Sequence, residues 1–335
     1  MAKPTIIFRA DGGSIIGMGH FIRTLALAEM LKDDFYCIFA TQLPIGYQIN
    51  EIEKVCHQRI DLPFDETHFN VFLTLLKGDE IVVLDNYYFT TEYHRAIKGK
   101  GCKLVCIDDM HDKEFFADLI INHAPGIKPS DYRAQTYTRF ALGLEYILIR
   151  SAFLEQAQEP RIIKNIYNVM ICFGGSDPLN LTRSVLQVVL KFKNFKKIIV
   201  ITGAANQAID SLFELFESDN RIEHRHSLNQ QQMLQTMLHT DLAIVPTSGI
   251  LFELMAVGVA AITGYFVKNQ QEASSNFSTL HIAFNLGNLL DNLNEKLHNQ
   301  IQEITVDSVQ KMIDNQKRII KNSKSFHVNI FKNLK

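Results

Sequence analysis

Three glycine-containing turns, each leading from an apolar run into an amphipathic stretch, hold the residues best suited to chemistry, and the first of them delivers a histidine. Ile6-Ile7-Phe8-Arg9-Ala10 runs into Asp11-Gly12-Gly13-Ser14-Ile15-Ile16-Gly17-Met18-Gly19-His20, and Phe21 then opens a helix carrying Arg23, Leu25, Leu27, Ala28 and Leu31. Glycines such as Gly17 and Gly19 let the backbone take positive φ and approach a ligand closely, while the helix start offers free N–H groups and a partial positive charge. A polar or anionic ligand and a tight structural turn both satisfy this spacing, which matches neither a phosphate-loop lysine motif nor a dinucleotide fingerprint. A histidine at a helix start has its basicity lowered by the dipole, so His20 is expected as a neutral imidazole that accepts a proton at physiological pH; an ordinary N-terminal histidine is the alternative. Asp11 is the rival base, or else a carboxylate that binds the N–H groups of its own loop.

The second turn, Gly174-Gly175-Ser176-Asp177-Pro178, follows Met170-Ile171-Cys172-Phe173. It reads either as a phosphate-type turn or as a capped strand-to-helix connection, with Asp177 as cap and Pro178 in the first helical turn. The third, Pro246-Thr247-Ser248-Gly249, follows Leu242 to Val245 and precedes a helix bearing Glu253. Thr247, Ser248 and the N–H groups beyond them suit a diphosphate, and Glu253 suits two ribose hydroxyls or is an ordinary first-turn glutamate. Asp108, Asp109 and His111 read as a strand end capped by Asp residues or as a metal cluster, and His224 with His226 as a second metal candidate. Neither is needed for the chemistry below, and no metal or cofactor is expected.

The elements that must position these turns are short apolar runs alternating with helical stretches. Thr5 to Ala10, Tyr36 to Ala40, Glu80 to Asp85, Lys103 to Asp108 and Leu119 to Asn122 read as strands, with helices such as Phe21 to Leu31 and Thr90 to Lys98 between them. The pattern restarts at Asn168 to Phe173 and continues with strands at Lys197 to Thr202, Arg221 to His224, Asp241 to Pro246 and Ala260 to Phe266. Their helices lie at Pro178 to Leu190, Gln207 to Glu217, Gln230 to His239 and Gly249 to Val257. The polar passage Glu155 to Asn165 marks the boundary, which gives an N-terminal Rossmann-like domain at 1–155 and a C-terminal one at 156–335 that includes the terminal helices. The class expected is α/β, two Rossmann-like domains with parallel sheets facing a cleft.

A chain of 335 residues with 47% apolar content supports two cores. Lys+Arg 34 against Asp+Glu 36 leaves a net charge of -2 with no basic concentration, so nucleic acid is not an expected partner. No basic-then-apolar leader and no apolar run of about 20 residues are present, so the expectation is a cytoplasmic protein without stable membrane insertion. Cys37, Cys56, Cys102, Cys106 and Cys172 are expected as reduced core residues. The segment from Val306 to Lys335 reads as a packing helix followed by a solvated tail.

Taken in order, Gly17-Met18-Gly19-His20 with Arg23-x-Leu-x-Leu-Ala, Asp85-Asn86-Tyr87, Ile107-Asp108-Asp109, Gly174-Gly175-Ser176-Asp177, the Ser248 to Glu253 loop and helix, and Lys268-Asn269-Gln270 resemble the UDP-2,4-diacetamido-2,4,6-trideoxy-β-L-altropyranose hydrolases of pseudaminic acid biosynthesis. The resemblance implies a glycosyltransferase B-type fold and a UDP-linked amino sugar as the partner. It makes His20 the residue that activates water, with Tyr87 and Asn269 positioning sugar and water. Ser248, Gly249 and Glu253 fall where the family contacts diphosphate and ribose, Gly174, Gly175 and Ser176 form the other cleft-facing loop, and Asp11, Gly17, Gly19, Arg23 and Gln270 complete the binding set. Two departures stand out. The third loop, Pro246-Thr247-Ser248-Gly249-Ile250-Leu251, is less glycine- and serine-rich than in many relatives, and extra residues between Asn122 and Arg150 and at the C-terminus leave room for a shifted sugar specificity.

The implied reaction needs few groups. UDP leaves as a weak base stabilised by fixed N–H dipoles at Ser248 to Leu251, and neutral His20 takes a proton from water attacking the anomeric carbon on the opposite side, with inversion. A UDP-sugar-dependent glycosyltransferase of surface polysaccharide synthesis is the alternative, and it requires an acceptor surface. A non-catalytic nucleotide-sugar-binding protein is the third reading.

Overall fold

The computed structural model describes residues 3–13, 17–203, 206, 208–320 and 323–334, and the side chain of Asn269 lies outside what it describes. The chain divides into two units, Met1–Ser151 with Asn322–Lys335, and Ala152–Lys321.

In the first unit, the chain order is β1 (Thr5–Ala10), α1 (Gly19–Leu31), β2 (Tyr36–Gln42), α2 (Gly46–Val55), β3 (Gln58–Leu62), α3 (Thr67–Leu75), β4 (Ile81–Asp85), α4 (Thr91–Gly99) and β5 (Lys103–Ile107). After these come β6 (Glu114–Phe115), β7 (Leu119–Asn122), β8 (Arg133–Ala134) and β9 (Arg139–Leu142), with β6 and β8 forming a small separate ribbon. The main sheet has the order β3-β2-β1-β4-β5-β7-β9, and its pairings are parallel. Strands covered on both faces must be apolar on both, and β1 shows how: Ile6, Phe8 and Ala10 enter one core while Ile7 enters the other with Val82 and Leu84. Each of the larger of these side chains, the Ile, Val, Leu and Phe, contributes on the order of 1.5–3 kcal/mol of burial.

Past α5 (Ser151–Gln156), the second unit runs β10 (Asn168–Cys172), α6 (Leu181–Val189), β11 (Lys197–Thr202), α7 (Phe213–Ser218), β12 (Ile222–His226), α8 (Gln230–Leu238), β13 (Leu242–Ile244), α9 (Gly249–Val257), β14 (Ala260–Tyr265), α10 (Gln271–Thr279), β15 (Phe284–Asn288), α11 (Leu293–Glu303) and α12 (Val306–Ile319). Its parallel sheet is ordered β12-β11-β10-β13-β14-β15, the doubly wound dinucleotide-fold order of third, second, first, fourth, fifth and sixth strand. Both units are therefore α/β with parallel sheets.

The terminal residues differ from the sequence reading. The last helix, α13 (Ser323–Lys332), belongs to the first unit rather than to the second, and it is not a solvated tail. Phe331 and Leu334 are buried there, the Phe331 ring meets Phe35 at 6.3 Å, and the Ser323 hydroxyl donates to the Ile147 carbonyl at 2.6 Å. Ser323, His327 and Phe331, spaced about one turn apart, form the buried stripe that returns this lysine-rich segment to a core.

Candidate active site

In an open parallel sheet, ligands bind beyond the carboxyl ends of the strands where the strand order reverses. In the first unit that point lies between β1 and β4, whose final residues Ala10 and Asp85 are register partners. His20, the second residue of α1, is 5% exposed and places Nδ1 2.7 Å from the Asp85 Oδ1 atom. Burial opposes the Asp85 charge, but Arg23, together with the His20 hydrogen bond, outweighs it and holds the carboxyl at about 2. An ionised carboxylate only accepts, so Nδ1 carries a proton and donates it to Asp85, and Nε2 is the ring nitrogen that this bond does not use. The Tyr87 ring stands edge-on to the imidazole, with centroids 4.5 Å apart at 83°.

Asp85 is the functional residue that sequence reading missed. Its signal was present: an acidic residue ending an apolar run, two positions before Tyr87. What makes it a partner of His20 is the strand order, which brings β4 beside β1 across 65 positions of sequence.

Arg23, one turn after His20, was expected to bind substrate, and the structure gives its guanidinium to the protein instead. Nε and Nη2 donate to the two oxygens of Asp85 at 2.7 and 2.6 Å, and Nη1 donates to Asp109 Oδ2 at 2.8 Å. Thr24 Oγ1 adds a bond to Asp85 at 2.8 Å. Burial works against the Asp109 charge as well, and Arg23 overcomes it, so this carboxyl too lies below its ordinary range. The Tyr87 hydroxyl lies 3.4 Å from Asp109 Oδ2. A fork of donors spread over two acids is a geometry only arginine supplies.

Asp11 lies 5% exposed, and its carboxylate faces inward. Its Oδ1 accepts from Arg9 Nη1 at 2.6 Å, Thr41 Oγ1 at 3.1 Å and the Gln42 N–H at 2.7 Å, and Tyr88 donates its hydroxyl to Oδ2. Burial raises its proton affinity, but Arg9, Tyr88 and Gln42 together lower it further, which suits a strut and not a base. Its single backbone partner in this set lies at the end of β2, outside its own loop. Within that loop the Gly13 N–H donates to the Gly17 carbonyl at 3.1 Å, and Gly17 takes φ +75°. Gly12 packs on α1: a β-carbon there would meet Phe21 Cβ at 2.8 Å. Ser14 to Ile16 lie outside the described residues, and Gly17 and Gly19 are exposed.

The Asp108 to His111 cluster is a turn. Asp108 Oδ2 accepts the N–H groups of Met110 and His111 at 3.1 and 2.7 Å, and Asp109 belongs to Arg23. His224 and His226 both meet Thr202 Oγ1, at 2.8 and 3.0 Å. Among the described residues, no three His, Cys, Asp or Glu side chains converge as metal ligands.

In the second unit the order reverses between β10 and β13, and the loops after these two strands differ sharply. After β10, Gly174, Gly175 and Ser176 are exposed, but α6 starts at Leu181, three residues later than the sequence implied, because Asn180 adopts φ +50°. The Asp177 carboxylate accepts the N–H groups of Leu181 and Thr182, each at 2.9 Å, so this helix start is filled by the protein itself. After β13, by contrast, the Ser248 side chain makes no capping bond, the first turn of α9 carries no acid, and Gly249 is exposed. Thr247 turns inward, its hydroxyl 3.0 Å from that of Thr263. Glu253 is buried on α9. Gln270 lies in a 3-10 turn, Lys268–Gln270, with its side-chain oxygen 3.4 Å from the Phe266 N–H; the side chain of Asn269 is outside the described set.

No family model matches the sequence. Over 274 residues, 81% of this chain and 94% of the other, it is 26% identical to the UDP-2,4-diacetamido-2,4,6-trideoxy-beta-L-altropyranose hydrolase of Campylobacter jejuni. It is 25% identical over 284 residues to the spore coat polysaccharide biosynthesis protein SpsG of Bacillus subtilis, covering 83% of this chain and 82% of that one. Among solved structures, a glycosyltransferase from Rickettsia africae superposes with a TM-score of 0.68 at 11% identity, covering 100% of this chain and 99% of that one. The fold is that of the two-domain glycosyltransferases.

Proposed function

We propose that the chain is a cytoplasmic hydrolase of a UDP-linked diacetamido-trideoxy sugar, releasing UDP and free sugar with inversion in nonulosonic (pseudaminic) acid synthesis. The observation that carries this reading is the His20 imidazole, held through Nδ1 on an ionised Asp85, which leaves Nε2 as the ring nitrogen to take a proton from water. Such a group accepts a proton from water, a contribution typically of about 10²–10⁴-fold. The first unit thus supplies the base, with Tyr87 beside it. For the nucleotide, the uncapped start of α9 at Ser248 and Gly249 suits a diphosphate, whose departing charge its N–H groups stabilise. Glu253 then serves the ribose, and Asn269 and Gln270 the sugar. The Campylobacter relative, named as such a hydrolase, supports the same substrate class.

The test is purified full-length protein with UDP-2,4-diacetamido-2,4,6-trideoxy-β-L-altropyranose alone, followed through the anomeric proton by NMR. UDP release at full rate without an acceptor and an inverted first product are expected, with His20→Ala slower by roughly 10²-fold or more. Strict dependence on an added acceptor refutes the hydrolase, and equal turnover by His20→Ala refutes the base.

One observation favours a second reading, a UDP-sugar-dependent glycosyltransferase. Leu43, Ile45 and Phe64 are 71%, 56% and 75% exposed on the loops that leave β2 and β3, which the Gln42 side chain joins by donating to the Pro63 carbonyl at 2.7 Å. An apolar lip at the carboxyl edge of the first sheet suits an apolar acceptor. Replacing Phe64 and Leu43 by serine leaves hydrolysis unchanged under the first reading and slows transfer under the second.

A further inference from the structure

Holding a histidine on a buried carboxylate has a chemical drawback for a base. An opposite charge at hydrogen-bond distance favours the imidazolium, so the acid that fixes the tautomer also tends to keep the ring protonated. We propose that Arg23 is a positioning residue that offsets this effect: clamped between Asp85 and Asp109, its guanidinium neutralises the carboxylate that orients His20 and keeps Nε2 available at neutral pH. The inference rests on His20 being the base of the proposed reaction.

The geometry supports each part. Asp85 Oδ1 is shared, accepting from His20 Nδ1 at 2.7 Å and from Arg23 Nη2 at 2.6 Å. That same Nη2 lies 3.2 Å from Nδ1, and since a guanidinium only donates, this is a contact between a positive group and the ring. A cation at this distance disfavours a second positive charge on the imidazole. Asp109, reached by Nη1 at 2.8 Å, fixes the far end of the fork, so the guanidinium cannot swing off Asp85 without losing it. Among the described residues, the charged and titratable groups around His20 are few. Arg23 lies on α1, Asp85 ends β4, Tyr87 follows β4 and gives the ring edge, and Asp109 follows β5. His123, which follows β7, is held uncharged by burial and by Arg23, at about 3, and adds no competing charge. The local sum is two carboxylates against one guanidinium, so removing Arg23 leaves His20 facing uncompensated negative charge.

The experiment is a 15N–1H correlation titration of the full-length protein labelled with 15N-histidine, with His20→Gln to assign the signal. The parent is expected to show the Nδ1–H tautomer at high pH. In Arg23→Gln the His20 pKa is expected to rise by about one unit or more, and the acid limb of kcat/KM to move with it. Arg23→Lys retains the charge but cannot span both acids, and it is expected to fold and to show a smaller rise. Asp85→Asn acts in the opposite sense, lowering the pKa and abolishing the Nδ1–H preference. A fall in either Arg23 variant, no change in the folded ones, or an Nε2–H tautomer in the parent overturns the proposal. Because the titration needs no turnover, the two failures are distinguishable: expected shifts in a protein without hydrolase activity would sink the proposed function and leave only the electrostatic effect of Arg23 on the ring, while hydrolysis without the shifts would overturn the role of Arg23 and leave the proposed function standing.

Discussion

Gly203 lies so close to Gly175 that a β-carbon on it would fall 2.4 Å from the Gly175 Cα and 2.5 Å from its carbonyl oxygen. The loop after β11 therefore rests directly on the exposed turn after β10, backbone on backbone, and neither can yield as a side chain would. Gly203→Ala is expected to lower stability by about 1–3 kcal/mol, the usual cost of overpacking a tight contact. Denaturant unfolding measures it, and a variant as stable as the parent would show that the contact relaxes freely.

The start of α9 separates stability from binding. An acidic side chain at Ser248 would cap the open helix and complement its dipole, so Ser248→Asp is expected to unfold at the same temperature as the parent or higher. The same carboxylate would occupy and repel the site proposed for diphosphate, and UDP affinity by calorimetry is expected to fall at least roughly tenfold, about 1.4 kcal/mol. Unchanged UDP affinity in a folded Ser248→Asp protein would remove this turn from the nucleotide site.

The opposite pair of effects belongs to the α6 start. Asp177 serves Leu181 and Thr182, so Asp177→Ala is expected to cost about 1–2 kcal/mol of stability through the lost cap. Because those two N–H groups already have a protein partner, UDP binding is expected to survive the change. Loss of binding at full stability would assign Asp177 to the ligand.

These contrasts mark where sequence sufficed and where it did not. Apolar runs broken by glycine turns gave the alternation of both units, and strand β1 was read residue for residue, because strands buried on both faces carry an unmistakable signal. Strand β3, with Arg59 and Asp61 alternating against Ile60 and Leu62, went unread because an edge strand is half solvated. Local spacing placed His20 at a helix start. It left open what Arg23, Asp11 and Asp177 do, since each side chain could reach a ligand or the protein, and only the folded neighbours decide that. Asp85 and the return of α13 depend on contacts 65 and more positions apart, which no local pattern encodes.

Acid sensitivity provides the last test, and its sign follows from buried histidines. His94 is 2% exposed; the Cys106 thiol, 3.6 Å from Nε2, is positioned to donate to it, and Nδ1 has no acceptor, so burial first and Lys113 second hold the ring at about 4. His327, fully buried, is likewise at about 4, from burial, against hydrogen bonds that favour its charge. Unfolded, each titrates near 6.5, so between pH 6.5 and 4 the unfolded chain binds more protons than the native one. Stability is therefore complete above 6.5 and declines as the pH falls through that window, by on the order of 3 kcal/mol for each ring once both limits are passed. Asp85 adds nothing to this decline, since its depressed value makes its own loss begin only below its ordinary 3.8 and run to about 2. Urea unfolding at pH 7.5, 6 and 5 is expected to show the midpoint falling, and His94→Gln, which cannot take up the proton, is expected to flatten the slope. A parent midpoint independent of pH across that range would mean that these rings are charged, or solvated, in the native state.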